Sequence, residues 1–205
     1  MKHKGLFITF EGPEGSGKST QIKRAARYLK RCGRRVLLLR EPGGTRVSEV
    51  IRGILLNKDH REIEPETELL LYLAARSQIV REKIIPALRK GFVVVCDRYE
   101  DSTLAYQGYG RGFSLALIEK MSRFARGSLL PNRTFLLDIR PEAGMRRTGR
   151  RDRMEKQSLA FHRKVRQGFL MLARKDKKRF EAIDATKSRD VIAAIIQKRL
   201  CDDLG

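Results

Sequence analysis

Short apolar runs alternate along this chain with longer stretches in which apolar positions recur every three to four residues. The runs are Leu6–Phe10, Val36–Leu39, Phe92–Asp97, Thr134–Asp138 and Phe180–Ile183, and most show no polar alternation. Continuous apolar character is the pattern of strands covered on both faces, as in a parallel sheet. Between the runs the spacing predicts helices over Lys18–Cys32, Val47–Asn57, Pro65–Lys90, Ser114–Ala125, Arg153–Arg174 and Arg189–Asp202. Gly33 reads as a helix end and Ser114 as a helix cap. Pro86 predicts a kink or a fresh start inside the long third helix. Strands alternating with helices imply an α/β sandwich with right-handed crossovers, whose ligands bind beyond the C-terminal strand ends.

At 205 residues the chain suits one domain spanning 1–205, or a domain with a small lid. It has no run approaching the ~18 apolar residues of a membrane span. The basic start is followed by an apolar stretch that Glu11 interrupts, which does not match a secretory leader. The expectation is therefore a cytoplasmic protein with no membrane association. Cys32, Cys96 and Cys201 are odd in number, far apart and without a CxxC, so they read as reduced thiols. His3, His60 and His162 have no ligand spacing, and no protein-bound zinc is assigned.

Charge adds a second theme. There are 45 Lys and Arg against 24 Asp and Glu, a net +21, and the segment from Arg140 to Arg179 carries +11 of it. Such a cluster fits a polyphosphate clamp, a nucleic-acid surface or a solvated helix face. The solvated face is the reading for Arg163, Lys164, Arg174, Lys175, Lys177, Lys178 and Arg179.

The chemistry begins behind the first strand. Gly12-Pro13-Glu14-Gly15-Ser16-Gly17-Lys18-Ser19 fits G-x-x-x-x-G-K-[ST] at every fixed position, between a strand and a helix. Glycines let successive N–H groups converge on one concavity, and the helix start adds its positive dipole end. This loop, with Thr20 beside it, is assigned to a nucleoside triphosphate, which the resemblance given below implies is ATP. Lys18 is expected to reach the β- and γ-phosphates and Ser19 to ligate Mg²⁺. At the third strand end, Asp97 suits the water shell of that metal and Arg98 suits a second phosphate.

Further segments narrow the class. Phe10-Glu11-Gly12 with the loop, Arg40–Thr45, Glu66–Gln78, Asp97–Gly112 and Asp152–His162 together resemble thymidylate kinases, in order, from about Leu6 to Ala194. The resemblance implies a three-layer P-loop nucleoside-monophosphate-kinase fold with a five-stranded parallel sheet and a short basic lid at about 141–155. It implies transfer of the ATP γ-phosphate to dTMP with Mg²⁺, and a homodimer. Tyr72 would stack on thymine and Arg76 would hydrogen-bond the base. Arg98 would bind the dTMP phosphate, with Arg52 a weaker candidate for it. Ser102, Thr103 and Gln107 would read the thymine edge, and Tyr106 would crowd the sugar 2′ position. Glu14 would orient the monophosphate 3′-hydroxyl or a metal-bound water. The loop contains no arginine, so the resemblance places the catalytic arginine in the lid. The stretch Pro141–Asp152 is a few residues shorter than the family pattern, which leaves Arg147, Arg150 and Arg153 as alternatives, Arg153 being best anchored by its Asp-Arg pair.

Two rival readings share parts of this pattern. Another nucleoside-monophosphate kinase would have the same loop and lid but a different base pocket. A nucleotide-switched DNA-binding protein would account for the charge but not for Asp97–Gly112. No specific nucleic-acid partner is assigned.

Overall fold

The structure is a computed structural model, and it describes residues 5–148 and 152–204. Five strands, β1 (Leu6–Glu11), β2 (Val36–Arg40), β3 (Val93–Asp97), β4 (Arg133–Asp138) and β5 (Phe180–Asp184), form one sheet in the order β2-β3-β1-β4-β5. Every neighbouring pair is parallel. The sequence expectation for the strands therefore holds to within a residue at each end.

The continuous apolar runs are explained by burial on both faces. In β1, Ile8 and Phe10 pack against α1 (Lys18–Arg31) and α9 (Arg189–Leu204) through Ile22, Leu29, Ile192 and Ile196. Phe7 points the other way, onto Ile79, Ile84, Leu88 and Tyr99. The period of two thus divides one strand between two helical layers. On that second side, α3 (Pro65–Ile79), α6 (Leu115–Arg126) and α8 (Leu159–Lys175) share a further core with Leu136 and Phe180 of the sheet. The remaining helices are α2 (Arg46–Leu56), α4 (Ile85–Arg89), α5 (Glu100–Thr103) and α7 (Pro141–Arg147).

Of the helical expectations, the fresh start at Pro86 is met, the start of α8 is corrected, and for the segment behind β3 the sequence assigns no form. The long helix Pro65–Lys90 stays helical to Arg89, but α3 gives way at Val80 to a π-turn, Val80–Ile84, before α4 begins. Pro86 has no N–H to donate, and its ring would press on the carbonyl four residues back; the widened turn lies where that conflict falls. The predicted start of α8 at Arg153 moves to Leu159, because Ser158 caps the helix by accepting from Phe161 N at 3.2 Å. The residues before it form a turn, with Asp152 Oδ1 accepting from the amides of Met154 and Glu155, both at 2.9 Å. Finally, the motif segment behind β3 is helical: α5 continues into a π-helical stretch, Leu104–Gly110.

Candidate active site

The carboxyl ends of β1, β2 and β3 open into a cleft of about 940 Å³. Its floor is the phosphate loop. Gly12 turns the chain out of β1 at φ 138°, and a Cβ there would lie 2.3 Å from the Leu137 carbonyl oxygen. Only glycine lets the loop sit this close to β4. Glu14, Gly15, Ser16, Gly17, Lys18, Ser19 and Thr20 all line the cleft. Gly12 and Pro13 lie behind them, and their carbonyls accept from Lys18 Nζ at 3.0 and 3.1 Å. Burial pulls the Lys18 ammonium below its ordinary range, and the like charge of Arg98 adds to this.

Arg98 occupies the centre. Its backbone is left-handed, φ 68°, and it follows the strand end directly. The conformation is held from both sides: Arg98 N donates to Phe10 O at 2.9 Å, and Tyr99 N donates to Glu11 Oε1 at 2.7 Å. Its guanidinium donates to Gly12 O (3.2 Å), Ser102 Oγ (3.0 Å) and Tyr106 Oη (3.2 Å), and pairs with the Glu14 carboxylate. Tyr106 Oη also donates to Glu14, at 2.9 Å. Burial would raise the Glu14 pKa, but Arg98, Lys18 and Tyr106 outweigh it and hold the carboxyl down at about 2. Glu11, by contrast, is fully buried beside Asp101, and its pKa is raised to about 8. Sequence reasoning gave Glu11 no role, although an acid ending an apolar strand was a visible signal.

The opposite wall carries Tyr72 and Arg76 of α3, with Ser102, Thr103, Tyr106 and Gln107 above Arg98. Arg76 is 2% exposed and bonds Glu41 Oε2 through Nε at 2.8 Å. Its Nη1, Glu41 Oε1 and Asp97 Oδ1 are buried without a partner among the described residues. All three residues line the cleft, so it holds donors and acceptors that are still unsatisfied. Arg52 lines it too, half-buried, with Nη1 donating to Pro42 O at 2.8 Å.

The three candidate catalytic arginines diverge. Arg147, in the last turn of α7, lines the cleft and donates to Ala185 O at 3.2 Å. Arg153 does not line it. Its Nε donates to Leu55 O at 2.8 Å and its Nη2 to Glu68 Oε2 at 2.6 Å, and the residue is 7% exposed. Arg150 lies outside the described residues. Sequence reasoning also missed Glu41 and Glu68, the partners of Arg76 and Arg153, and the far end of the cleft behind β5, lined by Lys187, Ser188 and Arg189. Their signal was position: Glu41 directly behind an apolar strand, Glu68 within an apolar helix, and a loop at a strand's carboxyl end.

A parallel five-stranded sheet with a phosphate loop at the first strand end, an Asp-Arg pair at the third and a wall of helical side chains facing them is the fold of a P-loop nucleoside-monophosphate kinase. Residues 10–196 match the sequence model of the family described as Thymidylate kinase. The chain belongs to the thymidylate kinase family. A protein named thymidylate kinase from Deinococcus radiodurans is 50% identical over 196 residues, covering 94% of this chain and 95% of that one. Its counterpart from Carboxydothermus hydrogenoformans is 51% identical over 192 residues, covering 92% and 93%. A crystal structure of thymidylate kinase from Ehrlichia chaffeensis superimposes with a TM-score of 0.77 at 31% identity, covering 98% of this chain and 99% of that one.

Proposed function

We propose that this chain transfers the γ-phosphoryl group of ATP to dTMP, giving dTDP, in one cleft and without a covalent intermediate. Family membership supports the reaction. The observation that carries the site assignment is the pairing of Arg98 with Glu14, which puts a phosphate-binding guanidinium at the lip of the phosphate loop. The ATP tail lies along Gly12–Thr20, with Lys18 on its terminal phosphates. The dTMP phosphate lies on Arg98, with Arg52 near it, and the base lies between Tyr72, Arg76 and Gln107. Ser102 and Thr103 border the base, and Tyr106 borders the sugar. Glu14, ionised across the whole neutral range, orients the monophosphate. Positioning and fixed positive charge carry the rate.

Mg²⁺ fits this cleft. Asp97 Oδ1 is buried and unpartnered, and Ser19 lines the same space. Bound there with ATP, the ion would neutralise charge on the β- and γ-phosphates. Among the lid arginines, Arg147 is the one whose helix brings it to the cleft, and it is assigned the role of stabilising the transferring phosphoryl group. Arg153 is assigned to positioning, and Arg150 stays a second candidate. Residues 1–205 are read as one kinase domain with a lid at about 141–155.

The homodimer reading rests on apolar side chains left open on successive helices: Val47, Val50 and Ile54 on α2, Leu70 on α3, Leu117 and Phe124 on α6. No helix among the described residues is long and apolar enough to cross a membrane, and we place the enzyme in the cytoplasm.

The deciding experiment is an ADP-release assay with ATP and, in turn, dTMP, dUMP, dCMP, dGMP and AMP. The expected result is a clear preference for dTMP, lost in Lys18→Ala. Preference for a purine monophosphate would sink the assignment of the base pocket.

A further inference from the structure

Glu68 is fully buried on α3, one helical turn before Tyr72. Its carboxylate collects four hydrogen bonds from three side chains. Oε1 accepts from Gln107 Nε2 at 2.9 Å and from Arg111 Nε at 3.3 Å. Oε2 accepts from Arg111 Nη2 at 3.0 Å and from Arg153 Nη2 at 2.6 Å. Burial alone would raise its pKa, but the bonds from Arg111 and Gln107 and the two guanidinium charges hold it below the ordinary carboxylate value. Glu68 is therefore ionised and can only accept.

That one-sidedness fixes a neighbour. A side-chain amide has a donating end and an accepting end, and a carboxylate tolerates only the donating one. Gln107 must turn its NH₂ to Glu68 and its carbonyl oxygen away. Gln107 Oε1 has no donor among the described residues, yet it is not sealed from the cleft that Gln107 lines. We propose that Glu68 sets the pyrimidine selectivity of the site by holding Gln107 with its carbonyl oxygen toward the base. The site then offers an acceptor. Thymine and uracil carry a donor at N3; cytosine carries a lone pair there, which would face the oxygen without a proton between them. This rests on the reading above that the base lies beside Gln107.

Glu68 would thus be a positioning residue, and its signature is a change in selectivity rather than in overall rate. The test compares kcat/KM for dTMP, dUMP and dCMP in the full-length enzyme and in three variants. Glu68→Gln places an amide that both donates and accepts, so Gln107 is free to reverse. The dTMP:dCMP ratio should fall about 10- to 100-fold while dTMP:dUMP stays fixed. Glu68→Asp still only accepts, and should keep the wild-type ratio even where activity drops. A ratio measured within one variant does not depend on the fraction folded. Removing the carboxylate leaves Arg111 and Arg153 without their counter-charge, so Glu68→Gln is the variant at risk of not folding. Gln107→Met then carries the test, because it leaves both ion pairs in place; it should lower dTMP and dUMP together relative to dCMP.

An unchanged dTMP:dCMP ratio in Glu68→Gln or in Gln107→Met would overturn the proposal, as would an equal shift in Glu68→Asp. If the wild-type enzyme preferred a purine monophosphate, the base-pocket reading itself would fail, which is a different result.

Discussion

Arg98 and Glu14 form an ion pair across the floor of the cleft, linking the third strand end to the phosphate loop over 84 residues of sequence. Each side chain is about one-fifth exposed, so their attraction acts in a poorly screened setting. The guanidinium is also held by Gly12 O, Ser102 Oγ and Tyr106 Oη, which fix its plane before any anion arrives. A prepositioned fork of this kind grips a phosphate with little loss of side-chain freedom.

Arg98→Ala should therefore act on the acceptor nucleotide. The expected outcome is a rise in KM for dTMP of about 100-fold, from the loss of a charge-assisted pair. KM for ATP should change by less than about 3-fold. Steady-state kinetics with each substrate varied in turn checks this, and equal effects on the two constants would remove Arg98 from the monophosphate site.

Acid–base behaviour offers an independent check, because two neighbouring carboxyls are shifted in opposite senses. Glu11 is raised to about 8 by burial and by Asp101, and Glu14 is lowered to about 2. A raised carboxyl keeps its proton in the native state and releases it on unfolding. The stability that Glu11 contributes is complete below about pH 4.5 and is lost as pH rises through about 8. The Glu14 contribution is present above about pH 4.5 and is lost as pH falls through about 2. Of these two carboxyls only Glu11 acts between pH 5 and 8, at up to about 1.4 kcal/mol per pH unit. Glu155, raised to about 7 by burial and Asp152, adds to the decline, and His162, lowered by burial, opposes it below about pH 6.5. Tm should fall across that interval, and Glu11→Gln should flatten the decline. The same slope in both proteins would show that Glu11 ionises normally.

The strands and the phosphate loop were legible because each is specified by adjacent residues. Apolar runs covered on both faces, such as Val93–Cys96, leave an unbroken signature, and the loop motif is eight consecutive positions. The helical segment Glu100–Gly110 was not legible. Its glycines and tyrosines are poor helix formers, and packing on α8 decides its form. A Cβ on Gly110 would lie 2.7 Å from the Phe161 ring, and one on Gly168 would lie 2.7 Å from the ring of Tyr109. The role of Arg153 was hidden for a similar reason. Its Asp-Arg spacing says nothing of Glu68, 85 residues away, which holds the guanidinium out of the cleft.

Oligomeric state can be predicted from the second helical layer. Phe124 is 86% exposed and Val50 is 64% exposed, unusual values for such side chains on helices of an otherwise polar surface. Sedimentation velocity at micromolar concentration should show a dimer. Val50→Asp, which puts a charge on that face of α2, should shift it to monomer with little change in Tm. A wild-type monomer would exclude the dimer.

The closest backbone approach in the site joins the phosphate loop to α7. A Cβ on Gly144 of α7 would meet the Glu14 carbonyl oxygen at 2.2 Å, and a Cβ on Gly15 would meet the Gly144 carbonyl oxygen at 2.0 Å. Both obstacles are main-chain atoms, so neither can rotate aside. Gly144→Ala must push α7 away from the loop, and Arg147 with it. Displacements of about 1 Å near reacting groups cost on the order of 100-fold in rate. The expected outcome is a kcat lowered by about 10- to 100-fold, with the sheet and its core intact by circular dichroism. Gly53→Ala, in α2 with nothing within 4 Å of the added methyl, is the control and should leave kcat unchanged. Equal kcat in Gly144→Ala and Gly53→Ala would show that the spacing between α7 and the loop does not govern phosphoryl transfer.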